Sequence, residues 1–417
     1  MQPVRKIDLW HHSDFLKLWT SQTISQFGSQ ISILTLPLTA ALSLNATPFQ
    51  MGILTASEQL PFLLFGLFAG VLVDRWWRRR ILIITDMGRG LLLLVIPTTA
   101  LFGLLRIEIL WFSAFLVGIL TVFFDVAYWS YLPTVISRDV LVEGNSKLAL
   151  SQSAVETVGP GFAGILVQLL TGPFTILVDA ISFFASALIL SQIRTPELIS
   201  SSNDCKQGVW HELLSGLFLV FNDRILRALI LRATVWNIFY NMGLPIFILF
   251  VTRDLRFRPD FIGLLFSAMG FGFLFGAMLI QKISKCLGVG RTIIRSVVLA
   301  AIAVCLIPFT SGNGIMSGLI LVIALFIFGF MSALYNVNNI SLRQAITPNH
   351  LLGRMTATMR FVTWGIIPIA ALFGGVLGEK IGLRTTLMVI GGGSVFSAIL
   401  GTLFTSLRSV KELPKVW

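Results

Sequence analysis

The chain has 417 residues, 55% of them hydrophobic and only 12% charged, with a net charge of +12 and a mean hydropathy of +0.87. A soluble domain carries roughly 25% charged residues, so a water-facing surface of this length is excluded. Apolar stretches of about 20 residues recur from end to end, each long enough to cross a ~30 Å hydrocarbon core.

The chain opens on a polar segment holding Arg5, Lys6, Asp8 and His11. No short apolar region with a small-residue cleavage site follows, so the first span is expected to be retained. Spans are predicted at 18–42, 50–73, 81–103, 108–132, 148–171, 174–193, 226–251, 260–281, 292–311, 315–338, 355–378 and 386–407. Of the 31 Lys and Arg, 22 fall on the side of the termini, 6 on the other side and 3 (Arg89, Arg232 and Arg360) inside spans. That asymmetry predicts a multi-pass protein of the inner (plasma) membrane with both termini in the cytoplasm. The basic charge thus reads as orientation, with no nucleic-acid partner.

Span one carries Gln22, Gln26 and Gln30 at four-residue spacing beside Ser25 and Ser29, a polar stripe that must face a cavity or another helix. Span two holds Glu58 and, near its end, Gly66 and Gly70, whose spacing suits close helix packing. It leads into "GVLVDRWWRRR", Gly70 to Arg80. This string resembles the signature loop of the major facilitator superfamily at Gly70, Asp74, Arg75, Arg78 and Arg79, and departs from it at Trp77, where the pattern has glycine. The resemblance implies a latch in which the acid contacts the other half of the molecule and holds one conformation.

Asp86 and Arg89 in span three are three residues apart, on one helical face, and read as a local ion pair. A charge at bilayer depth costs about 2.5–3.5 kcal/mol on insertion scales, so the other acids need a reason as well. Glu58, Asp125 in span four and Glu156 in span five have no cation three or four positions away. Each reads either as a carboxylate that exchanges a proton across a cavity or as half of a buried pair with Arg232 or Arg360. Glu156 leads this set because it precedes Gly159 and Pro160 by less than a turn; Asp125 comes second. Asp179 in span six follows a loop closely and reads as structural.

Span five also contains "VGPGFAG", with Gly159, Pro160 and Gly164. It resembles the glycine–proline element of drug-exporting antiporters in the same superfamily, which implies export; an ordinary proline kink is the alternative. The strings "FLKLWTSQTISQFGSQIS", "YLPTVISRDVLVEGN" and "LVDAISFFASALIL" resemble the branch that holds macrolide-efflux proteins and the enterobactin exporter.

The longest polar interruption, 194–225, divides the chain into a six-helix bundle (1–193) and a second one (226–417). Within it "VWHELLSGLFLVF" reads as an amphipathic helix on the membrane surface or as plain linker. The second half repeats features of the first, with Gly272 and Gly276 in span eight matching the glycine pair of span two. Trp236, Tyr240 and Asn241 in span seven, Tyr335 and Asn336 in span ten, and Arg360 and Trp364 in span eleven suit a bulky amphipathic ligand or ordinary interhelical packing. The four histidines read as solvated, and Cys205, Cys286 and Cys305 lack the spacing of a zinc site or disulfide framework.

The expected fold is therefore an all-α membrane protein of twelve transmembrane helices in two pseudo-symmetric six-helix bundles, the major facilitator fold. The expected function is secondary active export of small amphipathic molecules by alternating access, with proton antiport, in a monomer surrounded by lipid. A siderophore exporter or a lysolipid flippase is the alternative on the same fold. No nucleophile elbow, zinc-protease motif or phosphate loop is present, which speaks against an intramembrane enzyme and against any cofactor or metal. The short termini speak against a signalling receptor.

Overall fold

In lipid, a backbone N–H or C=O without a partner costs several kcal/mol, so long apolar segments close their hydrogen bonds within helices. The computed structural model describes residues 9–197, 218, 220–348 and 351–403. Helices run in the order α1 (Ser13–Leu38), α2 (Pro48–Asp74), α3 (Arg78–Leu101), α4 (Ile107–Val135), α5 (Leu141–Leu170) and α6 (Gly172–Ser191). They continue with α7 (Arg224–Leu249), α8 (Pro259–Leu287), α9 (Val289–Leu306), α10 (Ile315–Ile346), α11 (Leu352–Gly365), α12 (Ile367–Ile381) and α13 (Leu383–Leu403). The expected linker helix falls mostly on 198–217, outside the described residues.

The eleventh span, expected to be continuous over 355–378, is broken into α11 and α12 around Ile366. Pro368 has no N–H to give, and its ring clashes with the carbonyl one turn back, so it starts a helix better than it continues one. The structure accordingly places it in the first turn of α12.

The chain falls into two compact units, one of 1–44 with 57–203 and one of 45–56 with 204–417. The first turns of α2 thus pack with the second unit. There Glu379 Oε2 accepts from the Phe49 N–H (3.2 Å) and Arg253 donates to the Ala46 carbonyl (2.8 Å). Backbone devices recur along the chain. Both α1 and α7 contain a proline, Pro37 and Pro245, and end in π-helical turns, Thr39–Ser43 and Phe250–Asp254. Asn45 and Arg256 (left-handed at φ 50° and 56°), Pro48 and Pro259, and Thr171 and Gly382 form pairs with one common separation in sequence.

Packing within the units differs at one expected seam. No atom lies within 4 Å of where a Cβ on Gly66 or Gly70 would sit, so the expected close approach at span two is absent among the described residues. In the second unit it is present: the backbone of α10 at Phe326 and Phe330 occupies the Cβ positions of Gly272 and Gly276. Small residues let two helix backbones meet there without side chains between them.

The end of the first unit that holds the start of α1 and the α2–α3 loop is tied by side-chain caps. Both Glu197 oxygens accept from the first N–H groups of α3, at Arg78 (2.8 Å) and Arg79 (2.7 Å). These are groups that no intrahelical bond can satisfy. Asp14 Oδ2 accepts from the Arg194 and Thr195 N–H groups (3.2 and 3.0 Å) and from the Thr195 hydroxyl (2.7 Å). His12, expected to be merely solvated, caps α1: its Nδ1 accepts from the Phe15 N–H at 3.2 Å. His211 and His350 lie outside the described residues.

Candidate functional site: two charged centres and an aromatic cavity

The first centre lies inside the first unit, where α3, α4 and α6 meet. Asp86 and Arg89 form the predicted ion pair, both side chains almost wholly buried. Two aromatic faces flank the guanidinium, with its Cζ 4.1 Å from the Phe124 ring centre and 4.2 Å from that of Phe183. Asp125 and Asp179 are also within electrostatic reach of Arg89. One acid is thus paired with the cation, and two more lie within its field.

Sequence spacing assigned Arg89 to Asp86 alone and gave Asp125 no local partner. The helix adjacency that adds Asp125 and Asp179 is tertiary. Asp179 is steadied by the Ser182 hydroxyl, which donates to its Oδ1 at 3.2 Å, and it faces α1 at Gly28.

The other two acids sit apart from this cluster. Glu58 is half-buried, and its Oε1 is shielded from solvent with no hydrogen-bond partner among the described residues. Glu156 is exposed and accepts from Gln152 Nε2 at 2.8 Å. Gly159 and Pro160 are buried within the unbroken α5, where Gly159 faces Gln30, and Gly164 is buried further along the same helix.

The stripe of α1 divides. Gln22 and Gln26 line a small polar pocket with Tyr128, Ser151 and Gln152. Gln30 packs on α5 instead.

In the loop after α2, Arg79 Nε donates to the Leu190 carbonyl (3.1 Å), and its Nη2 donates to that of Ser191. This arginine therefore clamps the end of α6. Arg75 is exposed and Arg78 half-buried. Asp74 ends α2 by position, and its side chain lies outside what is described.

The second unit contains an apolar cavity of about 70 Å³ walled by α7, α8, α9, α10 and α13. Phe328 stacks between Trp236 (6.2 Å between ring centres, 12° between planes) and Tyr240 (5.5 Å, 8°). Leu244, Phe247 and Phe266 extend the wall. Of the predicted cavity residues, Trp236 and Tyr240 line it. Asn241 is buried and donates to the Asn237 carbonyl, and Asn336 is exposed.

The second charged centre is next to this wall. The guanidinium of Arg232 is 2% exposed and lies 4.1 Å above the ring of Tyr335. Tyr335 accepts from Asn339 Nδ2 at 2.9 Å. Arg343 is within electrostatic reach of both Tyr335 and Arg360, and Arg360 lies over Trp364 at 5.4 Å.

Comparison with known proteins agrees with this architecture. A family model described as transmembrane secretion effector matches residues 9–415. The chain is 26% identical over 395 residues to the multidrug efflux pump Tap of Mycolicibacterium fortuitum, covering 93% of each. It is 21% identical over 403 residues to macrolide efflux protein A of Streptococcus pyogenes, covering 95% of this chain and 97% of that one. Among solved structures it resembles a bacterial homologue of the iron transporter ferroportin in an inward-facing state. That likeness has a TM-score of 0.75 and 14% identity over 94% of this chain and 98% of the other, and it speaks to fold. With a helical membrane fold and a family match over nearly its whole length, the chain belongs to the transmembrane secretion effectors, a family of major facilitator transporters.

Proposed function

We propose that this transporter expels small amphipathic molecules across the inner membrane, with both termini in the cytoplasm, and that protons moving inward drive it by alternating access. The observation that carries the reading is that Asp125 and Asp179 lie within electrostatic reach of an Arg89 already paired with Asp86. One guanidinium balances one carboxylate. In a low-dielectric bundle the remaining negative charge calls for protons, and a carrier coupled to protons must gain and lose them as it changes state. Asp86 is the structural partner of Arg89. Asp125, half-buried and less tightly held, is the proton carrier that the geometry supports best. Glu58, shielded and without a hydrogen-bond partner, is next, and Glu156 on its exposed face follows. The names of the relatives, a multidrug efflux pump and a macrolide efflux protein, support outward transport, and the aromatic cavity supports an amphipathic cargo.

The test is dye accumulation in inverted vesicles under an imposed inside-acid gradient. Wild type accumulates dye, and a protonophore abolishes the accumulation. Asp125→Asn loses it while still exchanging dye at equal concentrations, and Glu156→Gln serves as the comparison. Equal gradient-driven transport by Asp125→Asn would remove that residue from the coupling path. Dye accumulation by wild type that ignores the gradient would overturn proton coupling.

A further inference from the structure

Every described acid of the second unit sits at a helix end or in a loop: Asp223, Asp254, Asp260 and Glu379. Asp223, the acid on the same end of the bundle as Arg232, already accepts from the Ile225 and Leu226 N–H groups at 2.8 Å. Arg232 is nine residues further along α7, about 13 Å by helical rise.

None of the three guanidinium nitrogens of Arg232 has a hydrogen-bond partner among the described residues. Nearby, Arg343 Nε and Asn339 Oδ1 are also unpaired. Among the described residues, the Arg232 guanidinium rests against the ring of Tyr335 alone. A cation–π contact supplies much less than an unpaired buried charge costs. The first unit answers its buried arginine with carboxylates. Among the described residues the second leaves its own unanswered, and Arg343 and Arg360 are further cations of that unit.

We infer that Arg232, linked through Tyr335 to Arg343 and from there to Arg360, is the binding site for the anionic headgroup of the cargo: a carboxylate, phosphate or sulfonate on an apolar or aromatic body. The remainder of the site is laid out along α7. Arg232, Trp236, Tyr240, Leu244 and Phe247 recur at three- and four-residue spacing, which puts them on one face. Tyr335 and Trp236 pack against one buried cluster, and Phe328 carries the aromatic wall on to the cavity. An anion held at Arg232 therefore has its body directed along rings toward an apolar pocket. A planar guanidinium with five donors suits such oxyanions better than an ammonium would. The inference takes the direction of transport from the exporter reading, but its binding test is independent of that reading.

The test uses dansylphenylalanine and its methyl ester, which differ by one negative charge. Binding to purified protein is followed by energy transfer from tryptophan to dansyl. Wild type is expected to bind the acid about tenfold more tightly than the ester, the scale of one charge-assisted hydrogen bond. Arg232→Gln brings the acid down to the affinity of the ester and leaves the ester unchanged. Arg232→Lys keeps part of the preference. Arg232→Gln is expected to melt no lower than wild type, since an unpaired buried charge is removed. Should it fail to fold, Arg343→Gln and Arg360→Gln are each expected to reduce the preference several-fold. An equal affinity of wild type for acid and ester, a preference that survives Arg232→Gln, or one untouched in both the Arg343 and the Arg360 variant would overturn the proposal. The same probes in inverted vesicles separate the two ideas. Preferential binding without transport keeps the anion site and sinks the exporter reading, whereas transport of both probes without preference does the reverse.

Discussion

Gly159 of α5 faces Gln30 of α1 so closely that a Cβ on the glycine would lie 2.7 Å from that of Gln30. The glycine–proline element and the polar stripe, two separate features of the sequence, are thus halves of one helix contact. Overpacking of this kind costs about 1–3 kcal/mol. Gly159→Ala is expected to lower the melting temperature of the purified protein, and Gly159→Val to lower it further. Gln30→Gly removes the Cβ that the new methyl meets, so in the Gly159→Ala background it should recover part of the loss. No recovery in the double variant would show that the strain is relieved elsewhere.

Asp14 provides a pH-dependent staple outside the membrane. Burial raises its pKa, but bonds from the Thr195 hydroxyl, Lys17 and the Arg194 N–H outweigh this and hold it below the ordinary 3.8. A depressed pKa contributes stability that is complete above the unfolded value and is lost as pH falls through the folded one. Asp14→Asn is therefore expected to cost about 1.5–3 kcal/mol at pH 7, the scale of hydrogen bonds to a charged group. Once the pH has fallen below the depressed folded pKa, the variant and wild type should melt alike. A melting difference that does not shrink at any acid pH at which the protein still folds would show that the carboxylate charge contributes nothing.

Arg89 and Asp86 test the accounting of charge in the first unit. Removing one partner of a buried pair costs about 3–5 kcal/mol. Arg89→Gln is expected to be worse than Asp86→Asn, because it removes the cation within reach of three acids, whereas Asp86→Asn leaves Arg89 near two others. The double variant should be more stable than Arg89→Gln alone, a coupling read from melting in a double-mutant cycle.

Phe328 is the middle ring of the aromatic wall. Its two stacked contacts are each worth about 0.5–1.5 kcal/mol beyond area. Phe328→Ala is therefore expected to weaken binding of flat aromatic probes by at least several-fold, measured by quenching of tryptophan fluorescence. Phe328→Leu should give an intermediate value.

What the sequence reveals here follows from the range of each interaction. The spans are legible because lipid requires long apolar helices, and the Asp86–Arg89 pair is legible because three residues make most of a helical turn. Glu197 and Asp14 act as caps on segments more than 100 residues away, so no local pattern announces them. The convergence of Asp125 and Asp179 on Arg89 depends on which helices become neighbours. Gly66 and Gly70 carry the same spacing as Gly272 and Gly276, yet only the second pair meets a backbone, since spacing permits an approach without supplying the partner helix. The break at Ile366 is legible in Pro368, which starts a helix more readily than it continues one.

The solitary Arg232 also has an electrical consequence. A carrier that releases an anion outward while taking a proton inward moves positive charge in the same direction twice. For one proton per anion, a cell that is negative inside drives each cycle with two charges, about 4.6 kcal/mol at 100 mV. A neutral cargo on the same carrier would gain half of that. The voltage across the membrane, as well as the acidity gradient, would then set how steeply an acidic cargo can be concentrated outside, and clamping the potential to zero would penalise acids more than their esters.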